Sequence, residues 1–172
     1  MEISTANIKE LREKCGAGVM DCRSALIETQ GDMQKAVELL KERGCAKAAK
    51  KAERETTHGL IETYVHTGSR IGAMVELNCE TDFVARTDEF KRLAHDIAMQ
   101  VAAMKPSFIL AEEVPPGTEI EEGEVICLMD QPFIKDPTKT IRDLVVDVIA
   151  RVGENIRVSR FARFEVGVKK PE

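Results

Sequence analysis

Apolar residues in the first third of the chain recur every three or four positions, the spacing of amphipathic helices. Glycines interrupt this pattern at Gly16-Ala17-Gly18 and at Gly31, and Gly44 follows its last repeat. We therefore predict a first helix capped by Ser4 or Thr5, a second from about Val19 to Thr29, and a third capped by Asp32 and closed by Gly44. The predicted inward-facing residues are Ile8, Leu11, Cys15, Cys22, Ala25, Leu26, Ala36, Val37, Leu39 and Leu40. Because helices of about ten residues are not stable singly, residues 1–44 should form a three-helix bundle.

Residues 45–56 are basic and rich in alanine, with cations at Lys47, Lys50, Lys51 and Arg54. This composition predicts a solvated helical linker. A nucleic-acid-binding arm is the alternative, but the chain is net acidic, so the linker is the favoured interpretation.

From residue 57 onwards the pattern changes to alternation typical of strands. Gly59 to His66 and Ile71 to Asn78 form a predicted hairpin, with Ile71, Ala73, Val75 and Leu77 on one face. Asn155 to Val166 is a predicted strand with Ile156, Val158, Ala162, Phe164 and Val166 inward and Arg160 as the exception on that side. Two helices are predicted, one from Thr87 to near Pro106 and one from Thr140, with Asp143 in the capping-box position, to Gly153. Residues 57–172 should therefore be an α+β core in which helices pack on a three-stranded antiparallel sheet, interrupted by an acidic loop at 111–124.

The connection between the second predicted strand and the following helix reads Asn78-Cys79-Glu80-Thr81-Asp82-Phe83-Val84-Ala85. An aromatic residue in a connection is informative, because the chain has only six Phe, one Tyr and no Trp. Because aromatic side chains in connections mostly pack inward, the sequence by itself favours a Phe83 that fills the core at the strand-to-helix corner. A Phe83 exposed for a partner protein is the functional alternative, since connections commonly carry function.

Composition excludes several classes of function. The net charge of −5 argues against a general affinity for nucleic acid. No apolar run approaches the roughly 20 residues that span a bilayer, and the amino terminus lacks the features of a signal peptide, so we expect a cytoplasmic protein. Five scattered cysteines without a Cys-x-x-Cys pair indicate reduced thiols, and the three histidines have no metal-site spacing. No phosphate loop, nucleophile elbow or buried carboxylate pair is evident, so we expect neither cofactor nor metal nor enzymatic activity.

Two stretches closely resemble the elongation factor Ts family. The first is Leu11 to Cys22, continued by Gly31-Asp32, Ala36 and the 46–52 segment, and the second is Glu76 to Ala85. Gln131-Pro132-Phe133, Gly153-Glu154-Asn155 and Arg163-Phe164-Glu165 extend the resemblance over nearly the whole chain. Cys15 and Val19 differ from the family, which commonly has Thr and Met there, and the paired helices that the family usually has between Pro106 and Gln-Pro-Phe are missing.

The resemblance implies a guanine-nucleotide exchange factor for elongation factor Tu that holds no nucleotide itself. It implies that a bundle of the ubiquitin-associated type docks on the GTPase domain through Arg12, Val19 and Met20. It further implies that a loop containing Thr81, Asp82, Phe83 and Val84 acts beside the magnesium ion of elongation factor Tu, with Asp82 and Phe83 held exposed. Short members of the family work as dimers, so a homodimer is expected, through the sheet or through residues 125–134.

One alternative function stays open at this point. In it the chain is a non-catalytic binding module that recruits another partner through its amino-terminal bundle, and Phe83 belongs to the core.

Overall fold

A computed structural model describes residues 3–120 and 123–168. The chain divides into two compact units. The first contains the residues up to Arg54 together with Val146–Asn155, and the second contains Glu55–Val145 and the chain from Ile156 onwards.

The first unit contains the helices α1 (Thr5–Cys15), α2 (Val19–Glu28) and α3 (Met33–Ala49), together with the end of a later helix at residues 146–152. Their amino-terminal caps confirm the sequence prediction: the Ser4 hydroxyl accepts a hydrogen bond from the Asn7 amide, and Asp32 accepts from the amides of Gln34 and Lys35. The fully buried core of the bundle consists of Leu11, Cys22, Ala25, Leu26 and Ala36. Their burial confirms the predicted inward faces of the three helices.

The third helix does not end where the sequence suggested. The prediction that Gly44 closes it is wrong, because α3 continues to Ala49 and Gly44 is buried inside it. A Cβ atom at residue 44 would lie 3.7 Å from the Val146 side chain and 3.8 Å from that of Ala150. These are ordinary van der Waals distances, so Gly44 is an interior residue of α3 that packs on residues 146–150 and does not end the helix.

The second unit is built on a three-stranded antiparallel sheet in the order β1 (His58–Val65), β2 (Ile71–Cys79), β5 (Ile156–Glu165). Helix α5 (Asp88–Met104) packs on β1 and β2 through a stripe that is almost fully buried. The buried members of this stripe are Phe90, Leu93, Ala94, Ile97, Ala98, Val101 and Ala102. The predicted α+β class, the three-stranded sheet and the helix beginning at Thr87 are confirmed.

The last strand contains a β-bulge that the alternating pattern did not predict. Leu77 of β2 lies opposite Val158, whereas the preceding Glu76 lies opposite Arg160, so Ser159 is an extra residue in β5. One extra residue turns every following side chain to the opposite face. The predicted inward positions of Ala162, Phe164 and Val166 are therefore wrong, and all three are exposed. The same bulge explains why Arg160 broke the predicted alternation.

Between Met104 and α6 (Ile141–Val152) lies a segment for which the sequence predicts only an acidic loop and the residues that precede α6. It contains two 3-10 turns and a two-stranded sheet formed by β3 (Pro132–Phe133) and β4 (Asp136–Thr140). Its described residues contain no α-helix, so the paired helices that the family usually has are not found among them. The remaining short helix, α4 (Asp82–Ala85), follows β2 directly. Part of the acidic loop, residues 121 and 122, lies outside the described residues.

A buried pair of glutamines holds this segment against α5. The Gln100 side chain donates to the Gln131 side chain (3.2 Å) and to the Pro132 carbonyl (3.0 Å), and it accepts from the Ile134 amide (3.0 Å). Gln131 in turn donates to the Val125 carbonyl (2.8 Å). Helix α6 begins with the predicted capping box, in which the Asp143 carboxylate accepts from the Thr140 amide and the Thr140 hydroxyl accepts from the Asp143 amide.

Candidate functional site

The connection from β2 to α5 is held by hydrogen bonds between residues that are close together in the sequence. The Cys79 thiol donates to the Thr81 carbonyl (3.1 Å), and the Thr81 hydroxyl accepts from the Val84 amide (3.5 Å), which starts the single helical turn α4. The Thr87 hydroxyl donates to the Val84 carbonyl (2.8 Å) and accepts from the Phe90 amide (3.3 Å). The turn is therefore anchored at both ends, to β2 and to α5.

Neighbouring side chains in this turn point in opposite directions. Val84 and Ala85 are buried, whereas Phe83 is 79% exposed. Asp82 is partly exposed, and its carboxylate lies 2.8 Å from the guanidinium group of Arg86. The buried residues fix the backbone, so the Phe83 ring is presented to solvent from a constrained position.

The exposure of Phe83 confirms the expectation that followed from the family resemblance. The interpretation that Phe83 fills the core, which the sequence by itself favoured and which the binding-module alternative required, is wrong. The physical reason lies in the turn itself, where Val84 and Ala85 take the buried positions and Phe83 faces solvent. Among the predicted loop residues, Val84 is the one that faces inward, so it anchors the loop.

The three predicted docking residues of the first unit are all exposed. Arg12 lies in the last turn of α1, and Val19 and Met20 are the first two residues of α2. Met20 is 68% exposed. The short Gly16-Ala17-Gly18 connection joins the two helices, so it sets the spacing between Arg12 and the apolar pair.

Sequence reasoning missed one further apolar residue on this surface. Ile27 is exposed on α2, two helical turns after Met20, and a shallow groove is lined by Met20, Arg23, Ser24, Ile27 and Glu28. These positions follow helical spacing along one side of α2. That spacing is visible in the sequence, but it lies outside the predicted inward face of α2.

A second exposed apolar surface covers the face of the three-stranded sheet that α5 does not cover. We call it the outer sheet face. Its exposed apolar members are Ile61 and Val65 in β1, Met74 in β2 and Ala162 and Phe164 in β5, with Val166 just beyond. Cross-strand pairing places Met74 next to Ala162 and Gly72 next to Phe164. Phe164, at 67% exposure, belongs to this face because of the bulge at Ser159.

The other predicted interface, residues 125–134, has few accessible apolar side chains. Ile126, Cys127, Leu128, Met129 and Phe133 are buried within the second unit. An interface in this segment stays a prediction, and the outer sheet face offers more exposed apolar surface.

The described residues contain no group of three or more His, Cys, Asp or Glu side chains arranged to hold a metal ion. None of their helices combines the length and the apolar character needed to cross a membrane.

Comparison with known proteins decides the family. The family model described as elongation factor TS matches residues 28–126, more than half of the chain. Elongation factor Ts of Carboxydothermus hydrogenoformans is 48% identical over 194 aligned positions, which cover 96% of this chain and 89% of that protein. The chain belongs to the elongation factor Ts family. Elongation factor Ts of Thermotoga petrophila is also 48% identical, with 97% of this chain and 98% of the relative covered.

Membership of the elongation factor Ts family gives the chain a role in translation elongation and implies a partner elongation factor. The family is consistent with a non-enzymatic factor. The alignments run over 194 positions, more than the 172 residues of the chain, so the relatives carry residues that have no counterpart here.

Proposed function

We propose that this chain is a guanine-nucleotide exchange factor that binds elongation factor Tu and promotes release of GDP. Residues 1–44 would be the docking domain, 45–56 a linker and 57–172 the core that carries the exchange loop. The protein would act in the cytoplasm, without a direct nucleic-acid contact and without a chemical active site of its own.

The observation that carries this proposal is the Phe83 ring held in solvent by a rigid turn. An aromatic ring that is 79% exposed leaves most of its apolar surface in water. Burying one Phe side chain on a partner is worth about 1.5–3 kcal/mol. That free energy corresponds to roughly ten- to hundredfold in an equilibrium constant.

Asp82 supplies a charge beside this ring. Its carboxylate is paired with Arg86, and both side chains are accessible to a partner. In the proposed complex Asp82 and Phe83 act near the bound magnesium ion of elongation factor Tu. Because magnesium neutralises the phosphates of the nucleotide, disturbing the groups that support the ion weakens GDP binding.

The amino-terminal bundle would supply affinity rather than exchange. Val19, Met20 and Ile27 offer apolar surface, with Arg12 nearby in sequence on α1. A groove between exposed residues of one helix suits the apolar side of a partner helix. Thermodynamic linkage then requires that if this chain weakens GDP binding by a given factor, GDP weakens the binding of this chain by the same factor.

The test is release of a labelled GDP from elongation factor Tu, measured with catalytic amounts of the full chain. The Phe83→Ala variant should lower the acceleration by roughly tenfold or more, because the ring contributes most of the apolar contact of the loop. Met104→Ala is the matched control, since it also removes an exposed apolar side chain but lies outside the loop, the bundle and the outer sheet face. Absence of any acceleration by the wild-type chain at micromolar concentration would refute the proposal.

We further propose that the chain forms a homodimer through the outer sheet face. Two-fold pairing of identical faces needs a self-complementary surface, and stacked sheets pack about 10 Å apart with interdigitating apolar side chains. Met74, Ala162 and Phe164 provide such side chains on adjacent strands. Phe164→Asp should convert the dimer to a monomer in sedimentation experiments, whereas Phe83→Asp, the same substitution at another exposed Phe, should leave the dimer intact. A wild-type chain that sediments as a monomer at tens of micromolar would contradict this.

A further inference from the structure

Two cysteines of the amino-terminal bundle lie side by side across the connection between α1 and α2. The Sγ atoms of Cys15 and Cys22 are 3.9 Å apart, which is van der Waals contact. The Cys15 thiol donates to the Leu11 carbonyl (2.9 Å), and the Cys22 thiol to the Ala17 carbonyl (3.7 Å). These backbone bonds fix both thiols at the ends of the Gly16-Ala17-Gly18 connection.

The two thiols differ in their access to solvent. Cys15 is half-buried at the end of α1, whereas Cys22 is fully buried. Burial, followed by the neighbouring Cys15 sulfur, raises the pKa of the Cys22 thiol to about 11. Cys22 is therefore protonated at neutral pH, and a small oxidant reaches Cys15 first.

We infer that Cys15 and Cys22 are a redox modification site, at which a peroxide converts the two thiols to an intramolecular disulfide that weakens docking of the bundle. In the first step the Cys15 sulfur attacks one peroxide oxygen, the O–O bond breaks, and Cys15 sulfenic acid and water are formed. In the second step the Cys22 thiol gives up its proton as its sulfur attacks the Cys15 sulfur, the S–O bond breaks, and the departing hydroxide takes up that proton, so the disulfide and a second water are formed. Both sulfurs are oxidised and both oxygens of hydrogen peroxide are reduced, and a dithiol reductant reverses the change.

The effect on docking follows from the position of the pair, and this part rests on the proposed function. A disulfide requires the two sulfurs to approach from 3.9 Å to about 2 Å, and this movement acts on the end of α1 and the start of α2, which carry them. The residues enclosed by the bond include Val19 and Met20, which are two of the proposed docking residues. The flanking Gly16 is in the left-handed conformation (φ 67°), which a glycine adopts without strain, so the shift is taken up in this connection.

The disulfide between Cys15 and Cys22 can be detected without any partner protein. The full chain is treated with hydrogen peroxide, its remaining thiols are alkylated, and it is digested with trypsin, which cleaves after Lys14 and Arg23. The peptide 15–23 contains both cysteines. Disulfide formation should make it lighter than its reduced, unalkylated form by about 2 Da, the mass of the two hydrogens lost on oxidation. The Cys45→Ser variant serves as the background, because Cys45 is exposed and would otherwise form links between chains.

Docking is then measured with the same samples, as the affinity of reduced and oxidised chain for elongation factor Tu. Oxidation should weaken binding by roughly tenfold or more, a loss typical of displaced central contact residues, and dithiothreitol should restore it. Cys15→Ser in the Cys45→Ser background should bind equally well before and after peroxide, since it keeps Cys22 in the core but cannot form the bond.

Two results would overturn the inference. One is a peptide 15–23 that keeps both thiols, or goes directly to sulfinic acid, while the chain remains folded. The other is an oxidised chain that contains the disulfide but binds as tightly as the reduced chain. Failure of the proposed function is distinguishable from both, because it appears as reduced wild-type chain that does not bind elongation factor Tu at all.

Discussion

Two phenylalanines separated by seven positions test how the loop at residues 81–84 is built. Phe83 is 79% exposed, so only about a fifth of its side chain is removed from water on folding. Since full burial of a Phe contributes about 1.5–3 kcal/mol, the folded chain gains about 0.3–0.6 kcal/mol from this ring. Phe83→Ala should therefore change the free energy of unfolding by no more than about 0.6 kcal/mol, within the range of surface substitutions.

Phe90 is the matched comparison, because it carries the same side chain and lies in the same corner of the second unit. It is fully buried in the apolar stripe of α5. Truncating a buried Phe removes the transfer free energy and leaves a cavity, which together cost about 3–5 kcal/mol. Phe90→Ala should therefore destabilise the chain by several times more than Phe83→Ala.

Both free energies are measured by urea denaturation followed by circular dichroism, and the folded variants are then compared in the GDP-release assay. We expect the two substitutions to have different effects. Phe83→Ala should keep its stability and lose exchange activity, whereas Phe90→Ala should lose stability. If Phe83→Ala lowers the free energy of unfolding by more than about 2 kcal/mol, a magnitude typical of core truncations, the ring belongs to the core and is not held in solvent.

Two other substitutions test the polar interactions of the second unit. Gln100→Leu removes the hydrogen-bond donor of the Pro132 carbonyl and of the Gln131 side-chain oxygen. The free energy of unfolding, measured in urea, should therefore fall by about 1–3 kcal/mol. An unchanged urea midpoint would contradict this. The hydrogen bond from Arg160 (2.6 Å) lowers the pKa of the Glu76 carboxylate below its usual value of 4.5. Because the folded-state pKa is depressed, the stabilisation is present above pH 4.5 and is lost as the pH falls through the lowered value. Glu76→Gln should therefore flatten the dependence of stability on pH below 4.5, and a profile identical to wild type would show that the pair contributes nothing.

The sequence by itself determined the elements that depend on local signals. Helical spacing and caps at Ser4, Asp32 and Thr87 predicted three of the helices, and alternation predicted the hairpin of β1 and β2. These signals act within a few residues, through backbone hydrogen bonds and a single apolar face. The family resemblance also followed from residues that are adjacent in the chain.

Only the tertiary structure decided which of several apolar residues are buried. Helical spacing places Phe90 on the inward stripe of α5, but the pattern could not decide whether Phe83, in the preceding connection, faces the core or solvent. Nor could it detect the bulge at Ser159, which becomes visible only when β5 is paired with β2. The extra residue turns Phe164 outward and so creates the outer sheet face.

The end of α3 and the contact between Cys15 and Cys22 have the same origin. Gly44 signals a helix end in the sequence, yet α3 continues through it to Ala49, and Gly44 packs at ordinary van der Waals distance from Val146 and Ala150. Seven positions separate the two cysteines in the chain, and it is the packing of α1 against α2 that brings their sulfurs to 3.9 Å. Local sequence fixes where helices and strands begin, but contacts between elements far apart in the chain decide which faces are covered and which remain available for a partner.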